Sequence, residues 1–262
     1  MQLSANQIAQ YEEEGFLFCP GLLDSQEVAV LQEELPSILA RPGDEIIREK
    51  EDSTAARLAF GAHLYSEPFR RLSLLPRIIQ PLQQLLGEDV YLHQSRMNPK
   101  EGFGSGESWE WHQDYSAWRV VDGMPEPRCV MVAVFIDDCT AAKSPLLVIP
   151  RSHRDGFLDS IQLHNDADGY SLYHIDRQTF ERLADQYGIE PLIGPAGSVC
   201  FCHSIVVHGS ANNVSPWRRA IMYLIYNAIS YACTNADRPW FQNHRDFTPL
   251  VAIDDESLRQ LS

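Results

Sequence analysis

Apolar residues in the first third of the chain recur three or four positions apart, which predicts amphipathic helices. Each of the three clearest runs also carries a boundary signal, either an N-cap residue or a following glycine. The predicted helices cover about residues 4–14, 24–39 and 78–86. A short strand is predicted at 16–19, where Pro20 ends an apolar run. The charged stretch 41–54 has no apolar period and predicts a loop or lid.

From Val90 onward the pattern changes to short apolar runs separated by turn residues, which predicts β-strands. The predicted strands are 90–97, 109–115, 129–136, 146–149, 198–202, 205–207 and 219–229, with a helical insert at about 177–186. Helices followed by many short strands predict a β-sandwich or barrel backed by helices. We expect one domain over residues 1–262, with a helical part at about 1–89 and a β core at about 90–230.

Composition narrows the class of protein. The formal net charge of −15 argues against a nucleic-acid or anionic-membrane partner, since both require a basic surface. No apolar run approaches the roughly 20 residues of a transmembrane helix, and the first residues resemble no signal peptide. None of the six cysteines forms a Cys-x-x-Cys pair. We therefore expect a cytoplasmic protein with free thiols that acts on a small molecule.

The stretch 109–118 combines a histidine and a carboxylate with four large aromatic side chains. On an extended strand, His112 and Asp114 would project to the same face. They would supply two of the three ligands of the 2-His-1-carboxylate site that holds non-haem Fe(II). The motif His-x-Asp occurs five times, so context has to choose between the pairs. The other four lie in predicted turns or loops, or lack a later histidine: His153/Asp155, His164/Asp166, His174/Asp176 and His244/Asp246.

A later strand should supply the third ligand, and both His203 and His208 qualify. An oxygenase that uses 2-oxoglutarate also needs a cation for the distal carboxylate of this cosubstrate, and the planar fork of arginine suits that task. Arg219 stands 11 residues after His208, whereas the position 11 after His203 is Val214. The spacing therefore favours His208. Three protein ligands would leave three positions for 2-oxoglutarate and O₂, with succinate, CO₂ and a hydroxylated compound as products.

These residues lie in blocks that resemble the phytanoyl-CoA dioxygenase family of Fe(II)/2-oxoglutarate-dependent oxygenases. The resemblance extends from about Ile8 to Leu250. Within the family, the chain is most similar to ectoine hydroxylases and to bacterial hydroxylases of free leucine-like amino acids. The most specific blocks are 93–98, 111–114, 122–128, 145–153 and 208–210, together with Arg219. The resemblance implies a fold that is mainly β with flanking helices, namely a double-stranded β-helix or cupin-like jelly roll.

The resemblance also implies roles for individual residues. Three match the metal ligands: His112, Asp114 and His208. Three match positions at the cosubstrate, the first two at its distal carboxylate: Arg219, Ser210 and Asn98. Three match positions of the substrate pocket: Gln94, Arg96 and Trp118. The guanidinium of Arg96 could pair with a substrate carboxylate, which suits an amino acid and ectoine equally.

Several functions stay open at this point. Residues 94–96 resemble the ectoine branch, whereas 118–119 resemble the amino-acid branch, and Ala117 stands where ectoine hydroxylases usually carry threonine. We expect a small amino acid or amino-acid-like metabolite first and ectoine second. A related halogenase would lack the carboxylate of Asp114. A metal-binding protein without turnover, or a zinc hydrolase, would not need Arg219.

Overall fold

Antiparallel strands build most of the fold. The computed structural model describes residues 1–49, 54–103, 106–158, 161–165 and 171–261. The strands are β1 (Phe16–Cys19), β2 (Ile46–Arg48), β3 (Ala56–Phe60), β4 (Val90–Lys100), β5 (Trp109–His112), β6 (Cys129–Phe135), β7 (Leu146–Val148), β8 (Ile161–Asn165), β9 (Ser171–Ile175), β10 (Glu190–Leu192), β11 (Val199–His203), β12 (His208–Ser210) and β13 (Arg219–Ala228). The helices are α1 (Ala5–Glu14), α2 (Ser25–Leu39), α3 (Ala62–Tyr65), α4 (Glu67–Leu72), α5 (Pro76–Leu86), α6 (Tyr115–Asp122) and α7 (Arg177–Tyr187).

Two sheets pack against each other. The larger sheet has the strand order β1-β11-β6-β13-β4-β3-β2, and the smaller has the order β10-β7-β12-β5. Strands β8 and β9 pair separately as a hairpin. With its flanking helices this arrangement is a jelly roll, as predicted. The part of the chain expected to be helical also contributes β1, β2 and β3 to the larger sheet.

Strand β13 is continuously apolar from Ala220 to Tyr226 because both of its faces are buried. Alternate residues join two separate apolar clusters, as the period of two in a strand requires. Met222 and Leu224 belong to the cluster that includes helix residues such as Leu35. Ile221 belongs to the cluster that includes Val148 of the smaller sheet. The face of β13 that meets the smaller sheet also carries the candidate site.

Helix boundaries follow the signals in the sequence. The hydroxyl of Ser4 accepts a hydrogen bond from the backbone N–H of Gln7, whose side chain accepts one from the N–H of Ser4. Asp24 and Glu27 form the same capping box at the start of α2. Helix α1 ends at Gly15, which has the left-handed φ of 81°. The three predicted helices and the strand at 16–19 are confirmed.

Two predicted strands have different limits. Strand β5 stops at His112, and Asp114 has the helical angles φ −59° and ψ −37° at the start of α6. His112 and Asp114 therefore meet across a strand-to-helix turn, and the prediction of a strand through 115 is wrong. Residues 205–207 form a turn in which the N–H of Val206 donates to the carbonyl of His203 at 2.9 Å. The strand begins only at His208.

Two segments predicted as irregular contain strands. The chain around His164 and His174 forms the β8–β9 hairpin, in which His164 pairs with Leu172 and Gln162 pairs with His174. Residues 166–170, including Asp166, lie outside the described residues. Within 41–54, strand β2 forms and pairs with β3, while residues 50–53 lie outside the described part. Three-residue and five-residue strands of this kind are too short for a hydrophobic period to reveal them.

Two predictions from composition bear on the whole chain. The six cysteines are free thiols, as expected. Among the described residues, no helix is both long enough and apolar enough to cross a membrane.

Candidate metal and cosubstrate site

Three side chains converge between the two sheets. His112 ends β5, Asp114 opens α6 and His208 begins β12. His112 and His208 are partners in the antiparallel register of β5 and β12, which brings their rings to 4.3 Å between centroids. Nε2 of His112 lies 3.5 Å from Oδ1 of Asp114, and Nε2 of His208 lies 3.7 Å from Oδ2. The three potential ligand atoms all lie within 4.8 Å of one another.

Backbone carbonyls orient both imidazoles. Nδ1 of His112 donates to the carbonyl of Glu110 at 2.6 Å, and Nδ1 of His208 donates to the carbonyl of Val206 at 3.0 Å. These bonds fix the tautomer that leaves each Nε2 as an electron-pair donor toward Asp114. Burial, then the neighbouring His112, lowers the pKa of His208 to about 4. The imidazole of His208 is therefore neutral near pH 7, as a metal ligand has to be.

Asp114 is held as an ionised carboxylate. Burial alone would raise its pKa, but the guanidinium of Arg96 and the two imidazoles outweigh burial and hold the pKa well below its usual value. Nη2 of Arg96 donates to Oδ1 at 2.8 Å and to Oδ2 at 2.7 Å. Two neutral imidazoles and one carboxylate are the donor set that suits non-haem Fe(II). The residues present thus fit this metal.

Arg219 fits an anion that is not part of the chain. Its side chain is completely buried, and Nε donates to the carbonyl of Ser144 at 3.1 Å while Nη1 donates to Oδ1 of Asn98 at 3.3 Å. Nη2 is buried without a hydrogen-bond partner, and no carboxylate of the described residues forms an ion pair with Arg219. An unpaired buried guanidinium is costly unless an anion reaches it. A ligand carboxylate would satisfy this group with two hydrogen bonds.

Lys100 is a second cation at this end, and the sequence did not single it out. It stands directly opposite Arg219 in the β4–β13 register and is 1% exposed. Its Nζ donates to the carbonyl of Ala211, which also accepts from the hydroxyl of Ser144. Burial, followed by the charges of Arg219 and Arg57, lowers the pKa of Lys100 to about 6. Its position two residues after Asn98 on one strand face was the available signal.

The other predicted residues of the cosubstrate and substrate lie near this set. Ser210 lines the cleft beside His208, as does Asn98. Gln94 is almost fully buried, and its amide donates to the carbonyl of Gln242 at 2.7 Å. Its Oε1 accepts from Nη1 of Arg96 at 3.4 Å. Ser210, Asn98, Gln94 and Arg96 are thus all brought to the inner side of the two sheets.

Trp118 and His203 lie elsewhere. Trp118 is 1% exposed and packs edge-on against His93 at 5.8 Å between centroids, within an apolar cluster. The ring of His203 lies beside those of Tyr11 and His153, at 6.3 and 5.5 Å. Burial and then His153 lower the pKa of His203 to about 4. Among the described residues, His112, Asp114 and His208 make up the one group of three that could hold a metal ion.

A narrow cleft joins the metal ligands to Arg96 and Asn98. Its lining combines six polar or charged side chains with apolar ones and one glycine: Leu58, Arg96, Asn98, Trp109, His112, Leu146, His208, Gly209, Ser210 and Tyr223. Gly209 permits close approach, since a Cβ there would lie 2.9 Å from the carbonyl of Trp109. A mostly apolar concave site with few polar groups is typical of a small-molecule site.

Fold and site together define a dioxygenase that depends on Fe(II) and 2-oxoglutarate. The chain matches the phytanoyl-CoA dioxygenase (PhyH) family model over residues 11–221, and it belongs to that family. It is similar to the ectoine dioxygenase of Bordetella parapertussis, with 38% identity over 238 residues that cover 87% of this chain and 76% of the relative. It is also similar to the L-proline trans-4-hydroxylase of Streptomyces griseoviridis, with 33% identity over 258 residues, 95% of this chain and 96% of that relative.

A solved structure agrees in fold. EctD from S. alaskensis, determined with 2-oxoglutarate and 5-hydroxyectoine, matches with a TM-score of 0.83 and 31% identity over 96% of this chain and 87% of that chain. EctD from the same organism has also been determined with bound Fe, again with a TM-score of 0.83. These relatives agree with the cofactors inferred from the sequence, which are Fe(II), 2-oxoglutarate and O₂.

Proposed function

We propose that the protein hydroxylates an unactivated C–H bond of a small amino acid or amino-acid-like metabolite. One O₂ and one 2-oxoglutarate are consumed per turnover, and succinate, CO₂ and the hydroxylated compound are formed. The observation that supports this most directly is the convergence of His112, Asp114 and His208 beside a buried Arg219 that has no carboxylate partner in the described chain. A hydrolase or a passive metal-binding protein has no use for that second feature.

The proposed ligands of Fe(II) are His112, Asp114 and His208. When bound, Fe(II) supplies the activation of O₂ that couples decarboxylation of 2-oxoglutarate to hydroxylation. The chain's own task is placement. Carbonyl acceptors hold the imidazoles, Arg96 holds the carboxylate of Asp114 with both oxygens bonded to one nitrogen, and apolar walls exclude water.

The proposed binding site of the distal carboxylate of 2-oxoglutarate is the end of the cleft at Arg219. Ser210 lines this part of the cleft, and Asn98 accepts a hydrogen bond from Arg219 and so orients its fork. Lys100, opposite Arg219, adds a second potential cation. The same strand continues to Arg96 and then Gln94, which supports their assignment to the substrate side of the metal.

Two substrate classes have support. Similarity to the L-proline trans-4-hydroxylase, at 33% identity over 258 residues, supports a free amino acid. Identity of 38% with the ectoine dioxygenase and the match to EctD support ectoine as the second candidate. A halogenase of this fold is the less favoured alternative function, because the carboxylate of Asp114 argues against it.

A small molecule in the cytoplasm is the proposed partner. The net charge of −15 disfavours nucleic acid and anionic membrane surfaces. Six free thiols, five of them buried, suit a reducing compartment.

A substrate panel tests the proposal. The Fe(II)-loaded enzyme is incubated with 2-oxoglutarate and L-proline, L-leucine, related amino acids or ectoine, and succinate is measured together with a product mass increased by one oxygen. We expect coupled product with at least one amino acid and none with Asp114→Ala, because that variant lacks the anionic ligand. Folding of the variant is checked by circular dichroism. Full activity of Asp114→Ala would rule out the proposed ligand set, and succinate without an oxygenated product from any compound would rule out the substrate class.

A further inference from the structure

Tyr223 presents a phenol to the cleft without a partner. The residue lies on β13, is 7% exposed and lines the cleft. Among the described residues, its hydroxyl forms no hydrogen bond. Two other buried tyrosines of the described residues bond backbone carbonyls: Tyr226 donates to that of Ser73 at 2.8 Å, and Tyr115 donates to that of Met124 at 3.1 Å. The hydroxyl of Tyr223 has no such acceptor and lines the cleft, so it is available to a bound ligand.

The register of β4 and β13 places the backbone of Tyr223 along the cleft. Directly opposite residues share a face, and the inner pairs from one end of the cleft to the other are Lys100/Arg219, Asn98/Ile221, Arg96/Tyr223 and Gln94/Ile225. Tyr223 is four residues from Arg219, roughly 13 Å along the strand. It stands instead level with Arg96, whose guanidinium lies 5.4 Å from the centre of its ring. Since Arg96 bonds Asp114, the phenol lies at the level of the metal ligands.

The chemistry of this pair suits a carboxylate. Burial raises the pKa of Tyr223, although the nearby Arg219 and Arg96 oppose the shift. The phenol is therefore neutral in the working range and acts as an O–H donor. The hydroxyl of Tyr223 and the guanidinium of Arg96 together form a site that an anionic oxygen can satisfy and a neutral apolar group cannot.

We propose that the hydroxyl of Tyr223, beside Arg96, donates a hydrogen bond to the carboxylate of the substrate and so determines specificity for carboxylate-bearing small solutes. This inference rests on the proposed function, in which the substrate is an amino acid or a similar compound. It adds a recognition group that the sequence did not indicate. It also predicts that the enzyme rejects a substrate whose carboxylate is replaced by a neutral group.

Replacement of Tyr223 by phenylalanine removes only the hydroxyl group and therefore tests the inference. Tyr223→Phe is compared with the wild type and with Tyr226→Phe, a matched control on the same strand whose hydroxyl bonds Ser73 on the opposite face. Binding to the Fe(II)- and 2-oxoglutarate-loaded enzyme is measured by calorimetry without oxygen. The probes are L-proline and L-prolinamide, L-leucine and L-leucinamide, and ectoine. The affinity for 2-oxoglutarate is measured in parallel.

We expect Tyr223→Phe to weaken binding of the accepted carboxylate about 10- to 100-fold, the range of a hydrogen bond to a charged group. The wild type should bind a carboxylate probe more tightly than the matching amide. This difference in affinity should be smaller in Tyr223→Phe, because the lost hydrogen bond is the contact that distinguishes the two probes. Tyr226→Phe should bind every probe as the wild type does. Unchanged substrate affinity in Tyr223→Phe, or a loss of affinity for 2-oxoglutarate alone, would overturn the inference while leaving the proposed function intact. A wild type that binds none of the probes would overturn both.

Discussion

We predict that Lys100 takes up a proton when 2-oxoglutarate binds, so that binding depends on pH. Two buried basic side chains that face each other across a strand pair cannot both carry a charge at low cost unless an anion lies between them. Five charged groups are involved, since Lys100 faces Arg219 and Arg57 together with Glu49 and Glu107. The two glutamates already pair with Arg57, at 3.0 Å each. The distal carboxylate of the cosubstrate would therefore be the first anion available to Lys100 and Arg219.

The sign and size of the effect follow from the pKa of Lys100. Burial and Arg219 lower this pKa from 10.5 to about 6, so at pH 8 the amine is neutral in the free enzyme. A bound carboxylate favours the charged form, and the proton then has to come from solution. Each pH unit above the free pKa costs about 1.4 kcal/mol. The Kd for 2-oxoglutarate should therefore rise with pH, by up to ~50-fold from pH 6 to pH 8 if Lys100 is fully charged in the complex.

Calorimetry measures both the Kd for 2-oxoglutarate and the number of protons taken up on binding. The Fe(II)-loaded enzyme is titrated with 2-oxoglutarate without oxygen, between pH 6 and 8, in buffers of different ionisation enthalpy, which reports the protons taken up. 2-Oxopentanoate has the same number of carbons but a methyl group in place of the distal carboxylate. The difference in proton uptake between the two ligands therefore excludes any proton exchanged at the metal end. Lys100→Met should bind without the extra proton. Lys143→Met is the matched control, since Lys143 lies over the ring of Trp217 at 5.9 Å.

Equal proton uptake for 2-oxoglutarate and 2-oxopentanoate would refute this reasoning. A pH dependence that persists unchanged in Lys100→Met would refute it as well, because the proton would then bind elsewhere. Loss of the dependence in both lysine variants would assign it to general charge and not to Lys100.

Further variants test other parts of the structure. Arg219→Ala should raise the apparent 2-oxoglutarate requirement at least ~10-fold through loss of a charge-assisted contact of about 1.5–3 kcal/mol, whereas Arg218→Ala, which breaks a half-buried ion pair with Asp137, should not; steady-state kinetics distinguishes them. His203→Gln should keep its full iron content by metal analysis, since this ring lies outside the ligand group; a loss of iron would contradict the choice of His208. Glu27→Ala should lower the free energy of unfolding by about 3 kcal/mol in urea titrations, because it leaves the buried guanidinium of Arg77 without its main partner.

The ligand set illustrates what a sequence can and cannot predict. His208 was chosen over His203 because Arg219 follows at a fixed spacing, and the structure brings His208 to His112. His112 and Asp114 were paired on the premise of a continuous strand, which is wrong. They converge because the chain turns into a helix after His112. Residue types and spacing therefore selected three residues that the structure brings together, while the local geometry that assembles them was not readable from periodicity.

Lys100 and Tyr223 were missed for a different reason. Tyr223 lies within a strand that was predicted with nearly correct limits, whereas Lys100 lies three residues beyond the predicted end of its strand. The proposed role of each depends on the residue opposite it. The β4–β13 register contains a bulge between Ile225 and Tyr226, and such a shift cannot be deduced from either strand alone. The apolar character of β13 also concealed Tyr223, because an aromatic residue inside a buried strand is most often core. A free hydroxyl is visible only once its neighbours are known.

The same strand pair explains how an acidic chain can bind a dianionic cosubstrate. The overall charge is −15, yet the inner face of β4 and β13 carries the guanidiniums of Arg96 and Arg219, of which Arg96 pairs with the carboxylate of Asp114. Asp114 balances the charge of Arg96, whereas Arg219 has no carboxylate partner among the described residues, and Lys100 can add a second positive charge when protonated. Positive charge is thus concentrated at the end of the cleft remote from Asp114. An anion bound there is separated from the anionic ligand by Asn98, and repulsion between the two carboxylates, which would otherwise oppose binding, is reduced.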